Sequence, residues 1–247
     1  MKRVYGAISD SFDIRDHLAV SPLPGNYDQS VDLRQWFPEV RDQGLEGACT
    51  MFAGSAILSY LYKRFKNQSL IFSPQFGYRS ERIIEGDINS DNGAQSRTMM
   101  YVLRNIGLCL ETTDPYIDTG WTQPTTQYQL QEAYKYRIGA YHRVPDLETL
   151  RSVLRSGYPA SIAIKVYESF ESQSTARTGI VNLPFPNESC LGGHEVVVVG
   201  DTPEASRLLV RNSWGRDWGI DGYFWLPYSY WSYVMDSWVA HLGPAWR

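Results

Sequence analysis

Three cysteines and four histidines are the side chains of this 247-residue chain that could combine into a nucleophile at neutral pH. A thiol attacks only as the thiolate, and unaided it ionises near pH ~8.5. Cys49 opens the stretch CTMFAGSAILSYLYKRF, whose Phe52, Ala56, Leu58 and Tyr62 recur at helical spacing. A cysteine at a helix start meets unpaired backbone N–H groups and the positive end of the dipole, and both favour the thiolate. It then needs a proton partner. His17 lies in a polar extension, His142 in a turn-flanked segment and His241 near the chain end. His194 follows Gly192-Gly193 and opens the apolar run EVVVV, so its ring sits where the backbone around it is open. Eighteen positions on is Asn212, in VRNSWGRDWGIDGYFWL. Its side-chain oxygen can accept the imidazole N–H, fix the tautomer and leave the other ring nitrogen for sulfur.

The elements that must hold these groups read as helices first and strands second. Beyond the helix at Cys49, a second is expected over 73–86, with Ser73 as N-cap and Pro74 in the first turn. A third is expected over 95–105, ending before Gly107. Residues 118–134 read as a polar connection with room for a short helix. IGAYHRV, PASIAIKVY, HEVVVVGD, RLLVRNS, GYFWLP and SWVAHLG are short, β-branched or aromatic and bounded by turn residues, as strands are. DLETLRSVLRSG interrupts them as a helix capped by Asp146 and stopped by Gly157. This order indicates an α+β chain with two unlike lobes. The expected division is an extension over 1–30, a mainly helical lobe over 31–135 carrying Cys49, and a mainly β lobe over 136–247 carrying His194 and Asn212.

Composition narrows the function. The net charge is −4 with both signs interspersed, which gives no footprint for nucleic acid or an anionic membrane. No apolar run is long enough to span a bilayer, and the first residues, MKRVYGAISDSFDIRDH, lack the apolar core of a secretory signal. Three cysteines cannot all pair, and so low a count fits a reducing compartment. The expected location is cytoplasmic, or secreted without a leader.

DQGLEGACTMFA (42–53), GGHEVVVVGD (192–201) and VRNSWGRDWGIDGYFWLP (210–227) resemble, in order and spacing, the three signature segments of the papain-like cysteine peptidases. Cys49 and His194 stand about 145 positions apart, within the spacing of about 130–150 residues of that type. VDLRQWFPEVRDQG, SPQFGYRSER, SDNGAQSRTMMYVLRNIGLCLETTDPY and GYPASIAIKVYESF are similar to its prokaryotic branch, so the resemblance covers residues 31–247. It implies a two-lobed fold, with a helical left lobe and an antiparallel β-barrel-like right lobe flanking the cleft. It further implies that Cys49, His194 and Asn212 are catalytic. Gln43 and the Cys49 N–H would form the oxyanion hole, and Trp214 would cover the His–Asn bond. Asp91, Asn92, Gly93 and Ala94 correspond loosely to a strand that pairs with substrate backbone. Ala163 and Gly193 are candidate walls of the pocket for the residue before the scissile bond. Peptide or protein substrate is implied, and neither metal nor organic cofactor.

The departures are local. The usual cysteine upstream of the nucleophile is replaced within Glu46-Gly47-Ala48-Cys49, Thr50 stands for a tryptophan, and Glu195 follows His194 where a small residue is usual. Thirty residues are too few for the long helical propeptide of the family. The extension is expected either to lie over the groove as a partial lid or to strap its back. Cys109 reads as a packing residue. Cys190 lies four positions before His194, but a metal site there would lack further ligands. Ser213 lacks the elbow of a serine nucleophile. Two rival functions use the same residues: a Cys–His acyltransferase, transglutaminase or deamidase, and an inactive peptide-binding homologue.

Overall fold

The computed structural model describes residues 3–20 and 27–243; residues 1–2 and 21–26 of the extension, and 244–247, lie outside the described residues. The chain begins with β1 (Ala7–Ile8) and β2 (Val31–Asp32), then α1 (Cys49–Lys66), α2 (Pro74–Ile84), β3 (Ala94–Gln95), α3 (Ser96–Asn105) and α4 (Gln127–Ala133). It continues through β4 (Ala140–Arg143), α5 (Leu147–Arg155), β5 (Ala160–Tyr167), α6 (Gln173–Thr178) and β6 (Cys190–Thr202). β7 (Arg207–Arg211), β8 (Tyr223–Pro227) and β9 (Val234–His241) complete it. The order is that of an α+β protein: helices on one side, an antiparallel sheet on the other.

α1 organises the helical side. Every residue from Cys49 to Tyr62 is buried, as befits a helix enclosed by other layers rather than one lying on a surface. Ala48 gives its N-terminus no side-chain cap, so the first amides are open to other partners. Lys63, Arg64 and Lys66 occupy its last turn, where the dipole favours cations, and Asn67 ends it in the left-handed conformation. α2 and α3 pack against it. Ser73 accepts the Phe76 N–H at the start of α2, and Asp146 accepts the Thr149 N–H at the start of α5.

The sheet has the order β4-β9-β5-β6-β7-β8, with β2 paired to β6, and every pairing in it is antiparallel. β6 is central and long, and Val196 to Val199 are all buried. Four consecutive valines rather than an alternation show a strand covered on both faces. α1 and α5 both pack against β6. Among the described residues no helix is long and apolar enough to cross a membrane, and no group of three or more side chains could hold a metal ion.

The N-terminal segment is not an appendage. β1 pairs in parallel with β3, Ala7 opposite Ala94, so the segment enters between the helices and the sheet. Farther along, Asp10 and Asp16 both bind Arg143, Asp16 binds Arg97, and Ala19 donates its N–H to the Arg143 carbonyl.

Candidate active site

Cys49 is the first residue of α1 and His194 the fifth of β6, opposite Ile164 of β5. Both are wholly buried. Cys49 packs against Ala163 of β5, whose partner in the ladder is Glu195, the residue after His194. Two elements about 145 positions apart thus meet at one point.

Asn212 sits just past β7, its own N–H bound to the Gly222 carbonyl. His194 Nε2 lies 2.8 Å from Asn212 Oδ1, and the same oxygen accepts the Ser213 N–H at 2.9 Å. A main-chain donor on that atom identifies it as the oxygen, so the imidazole must donate from Nε2. Nδ1 is then the bare nitrogen, and it has no hydrogen-bond partner. The Trp214 indole stacks on the imidazole, centroids 4.8 Å apart, and is itself braced edge-on by Phe170 and Trp218. Gln43 is buried beside them: Oε1 accepts from Ser213 Oγ at 2.5 Å, and Nε2 donates to the Glu46 carbonyl at 2.9 Å. One of the two amide hydrogens remains for another acceptor.

Residues 3–10 cover this centre. Ala7 packs with Cys49, Ala163 and Met235. A Cβ on Gly6 would come 1.9 Å from the Gly47 carbonyl oxygen, and one on Gly193 2.1 Å from the Ala7 oxygen. Main chain therefore lies on main chain, an approach only glycine permits. Tyr5 meets the edges of His194 and Trp214 and hydrogen-bonds Glu171, while the Arg3 guanidinium lies 4.9 Å above the Trp214 ring.

Burial sets the charge state. It pushes the Cys49 thiol up to about 12, with the Glu195 and Glu81 carboxyls acting in the same direction. It pulls His194 down to about 4, opposed by the Asn212 bond and assisted by Arg3. Both shifts disfavour the thiolate–imidazolium pair while residues 3–10 cover it.

The remaining expected residues divide. Ala163 and Gly193 line the space beside Cys49. The backbone edge of the 91–94 stretch is Ala94, whose N–H donates to the Gly6 carbonyl at 2.7 Å. Gly93 has its N–H on Tyr78 Oη and its carbonyl on Arg82. Asn92 is exposed and binds Asp87, and Asp91 anchors the Gly47 N–H. Cys109 is a core residue; Cys190 is exposed, its sulfur directed at the Gly192 carbonyl. His142 contacts His17 and His241 in a separate row of rings. Two buried acids, Glu81 and Glu195, stand beside the centre, and residue spacing assigns neither of them to it. Glu81 accepts from Thr50 Oγ1 at 2.8 Å, and Glu195 accepts from Ser96 Oγ at 2.6 Å. Glu195 was visible as an odd residue after the histidine, but nothing in its neighbours tells that α3 supplies its partner.

The model of the papain family of cysteine proteases matches residues 27–237. Xylellain, a cysteine protease from Xylella fastidiosa, superposes with a TM-score of 0.86 at 33% identity, covering 96% of this chain and 95% of its own. An uncharacterized peptidase C1-like protein, L477, of Acanthamoeba polyphaga mimivirus is 32% identical over 89% of this chain and 74% of its own length. Cathepsin B-like CP3 of Giardia intestinalis is 27% identical over 85% and 71%. With the match running from β2 into β9, across both the helical side and the sheet, the chain belongs to the papain family and is a papain-like cysteine peptidase.

Proposed function

We propose that the chain hydrolyses peptide bonds through a thioester on Cys49. The observation that carries this is the tautomer of His194: Nε2 is committed to Asn212 and Nδ1 is bare, which is the form a general base needs. Once the cleft is open, Nδ1 takes the thiol proton and sulfur attacks the peptide carbonyl. The oxyanion is received by the second amide hydrogen of Gln43 and by the Cys49 N–H, which has no acceptor within the helix. The imidazolium protonates the leaving amine, the C–N bond breaks, and His194 then activates the water that releases the acid. Peptide main chain pairs with the Ala94 edge, where Gly6 lies in the covered form.

This covered form is latent in our reading, because residues 3–10 occupy the substrate's place and hold the nucleophile neutral. A thiol-directed epoxide tests the assignment. Labelling is expected to disappear in Cys49→Ala and to persist in Cys109→Ala and Cys190→Ala. Retained labelling of the Cys49 variant would move the nucleophile elsewhere. A peptide ester offered with excess amine separates hydrolysis from acyl transfer, and mostly amide product would overturn hydrolysis.

A further inference from the structure

Under Ala7 the sheet carries an unusual row. In the β5–β6 ladder Ala163 stands opposite Glu195, and in the β5–β9 ladder the same Ala163 stands opposite Asp236. Directly opposed residues project from the same face of a sheet. A methyl group is thus flanked by two carboxyls, and the Ala7 methyl rests on it beside Cys49. Just past Ala163 the register shifts, and Met235 is the unpaired residue that reaches Gly193 on the far side of Ala7.

One oxygen of this row lacks a donor, and another takes its donors from the N-terminal segment. Glu195 is 1% exposed; Oε2 has Ser96, whereas Oε1 has no hydrogen bond, with Ser161 Oγ facing the carboxyl outside bonding geometry. Asp236 Oδ1 is held by Arg143, but Oδ2 takes its donors, the Asp10 N–H and Ser9 Oγ, from the N-terminal segment itself. When that segment lifts, Oδ2 loses both. A buried acceptor without a donor is costly, and a cation that brings several N–H groups relieves it. Resting on the peptidase reading above, we infer that the space filled here by Ala7 receives an arginine or lysine side chain of the peptide substrate, and that Glu195 is the residue that selects it. Asp236 adds a second acceptor, its other oxygen remaining on Arg143. Burial holds Glu195 protonated up to about 8 in the covered form, so an incoming guanidinium exchanges a buried neutral acid for an ion pair. Ala7 itself fills the space without engaging either carboxyl; the segment's hold on Asp236 comes from Ser9 and Asp10.

The test keeps the full chain and opens it by substitution. Gly6→Val places a side chain against the Gly47 carbonyl; Asp10→Arg, which sets a third cation against Arg97 and Arg143, opens it independently. Each opened chain is titrated with the epoxide, then assayed with peptides varied at every position before the leaving group. Arginine or lysine is expected to exceed leucine at one position by about tenfold or more in kcat/KM. Glu195→Gln in the opened chain is expected to bring that ratio to about twofold or less, and Glu195→Asp to restore part of it. The ratio between two substrates cancels any general loss of active enzyme. A preference for leucine, or a basic preference untouched by Glu195→Gln, overturns the inference alone. Failure of both opened chains to label at Cys49 overturns the assignment of Cys49 as nucleophile and the inference with it.

Discussion

Gln43 is held from three sides: its main-chain N–H binds the Ser213 carbonyl, its side-chain oxygen takes the Ser213 hydroxyl, and one amide hydrogen goes to Glu46. Only the last hydrogen is free, and it is aimed by the others. Gln43→Ala in the Gly6→Val chain is therefore expected to lower kcat by about 100–1,000-fold, with a much smaller change in KM. Steady-state kinetics on one peptide check it, and an equal rise in KM would mean that Gln43 binds the ground state. The His194–Asn212 pair is legible in the sequence because residue type, order and spacing agree, and bringing it towards Cys49 needs only that β6 returns to the head of α1. The hydrogen bonds of Gly93 are not. Whether a main-chain group is free depends on which side chains reach it, here Tyr78 and Arg82, and neither is implied by the glycine itself. The same holds for Glu195, whose environment is made by Ser96 and Ala163 from two other elements.

At the scale of elements, local signals carried most of the fold. Ser73, Asp146 and the terminal cations of α1 act within one turn of the chain, so composition reveals them. Asp146→Ala removes the acceptor for Thr149 N–H at 2.7 Å. The expected loss is about 1 kcal/mol, or a fall of about 2–4 °C in Tm for a chain of this size. Thermal unfolding measures it; an unchanged Tm would mean that packing of α5 on the sheet alone sets its start. α6 was not foreseen, because QSTART is polar and six residues long, held by the Ser172 cap and the left-handed Gly179. The strand at His194 begins four residues earlier than the expected segment HEVVVVGD, at Cys190. β5 supplies partners for that polar stretch, Lys165 to Gly193 and Val166 to Gly192. β1 and β3 are two residues each and pair across 87 positions, far below anything periodicity can register.

Over the whole molecule the balance between covered and open forms is a proton balance, and its terms oppose one another. Covering lowers His194 to about 4 from an ordinary value near 6.5, so between those values the open form binds more protons and acid favours opening. Asp10 acts the other way. Burial first, then repulsion by Asp236, raises it from 3.8 to about 6, against hydrogen bonding by Arg97 and Trp238. Between those values the covered form binds more protons, and acid favours closure. The two effects overlap in one window and offset each other in the native chain. Asp10→Asn removes the Asp10 contribution and leaves those of His194 and of Glu195, which burial raises to about 8. The ratio of epoxide labelling at about pH 4.5 to that at about pH 6.5 is thus expected to be higher in Asp10→Asn than in the native chain. Taking the ratio within each protein cancels the loosening caused by losing the Asp10–Arg143 ion pair. An unchanged or lower ratio would show that Asp10 keeps its charge under the segment, with Arg143 and Arg97 outweighing its burial. On the alkaline side the terms do not compete: the covered thiol is held up to about 12, so ionisation of the uncovered thiol drains the covered form as pH rises.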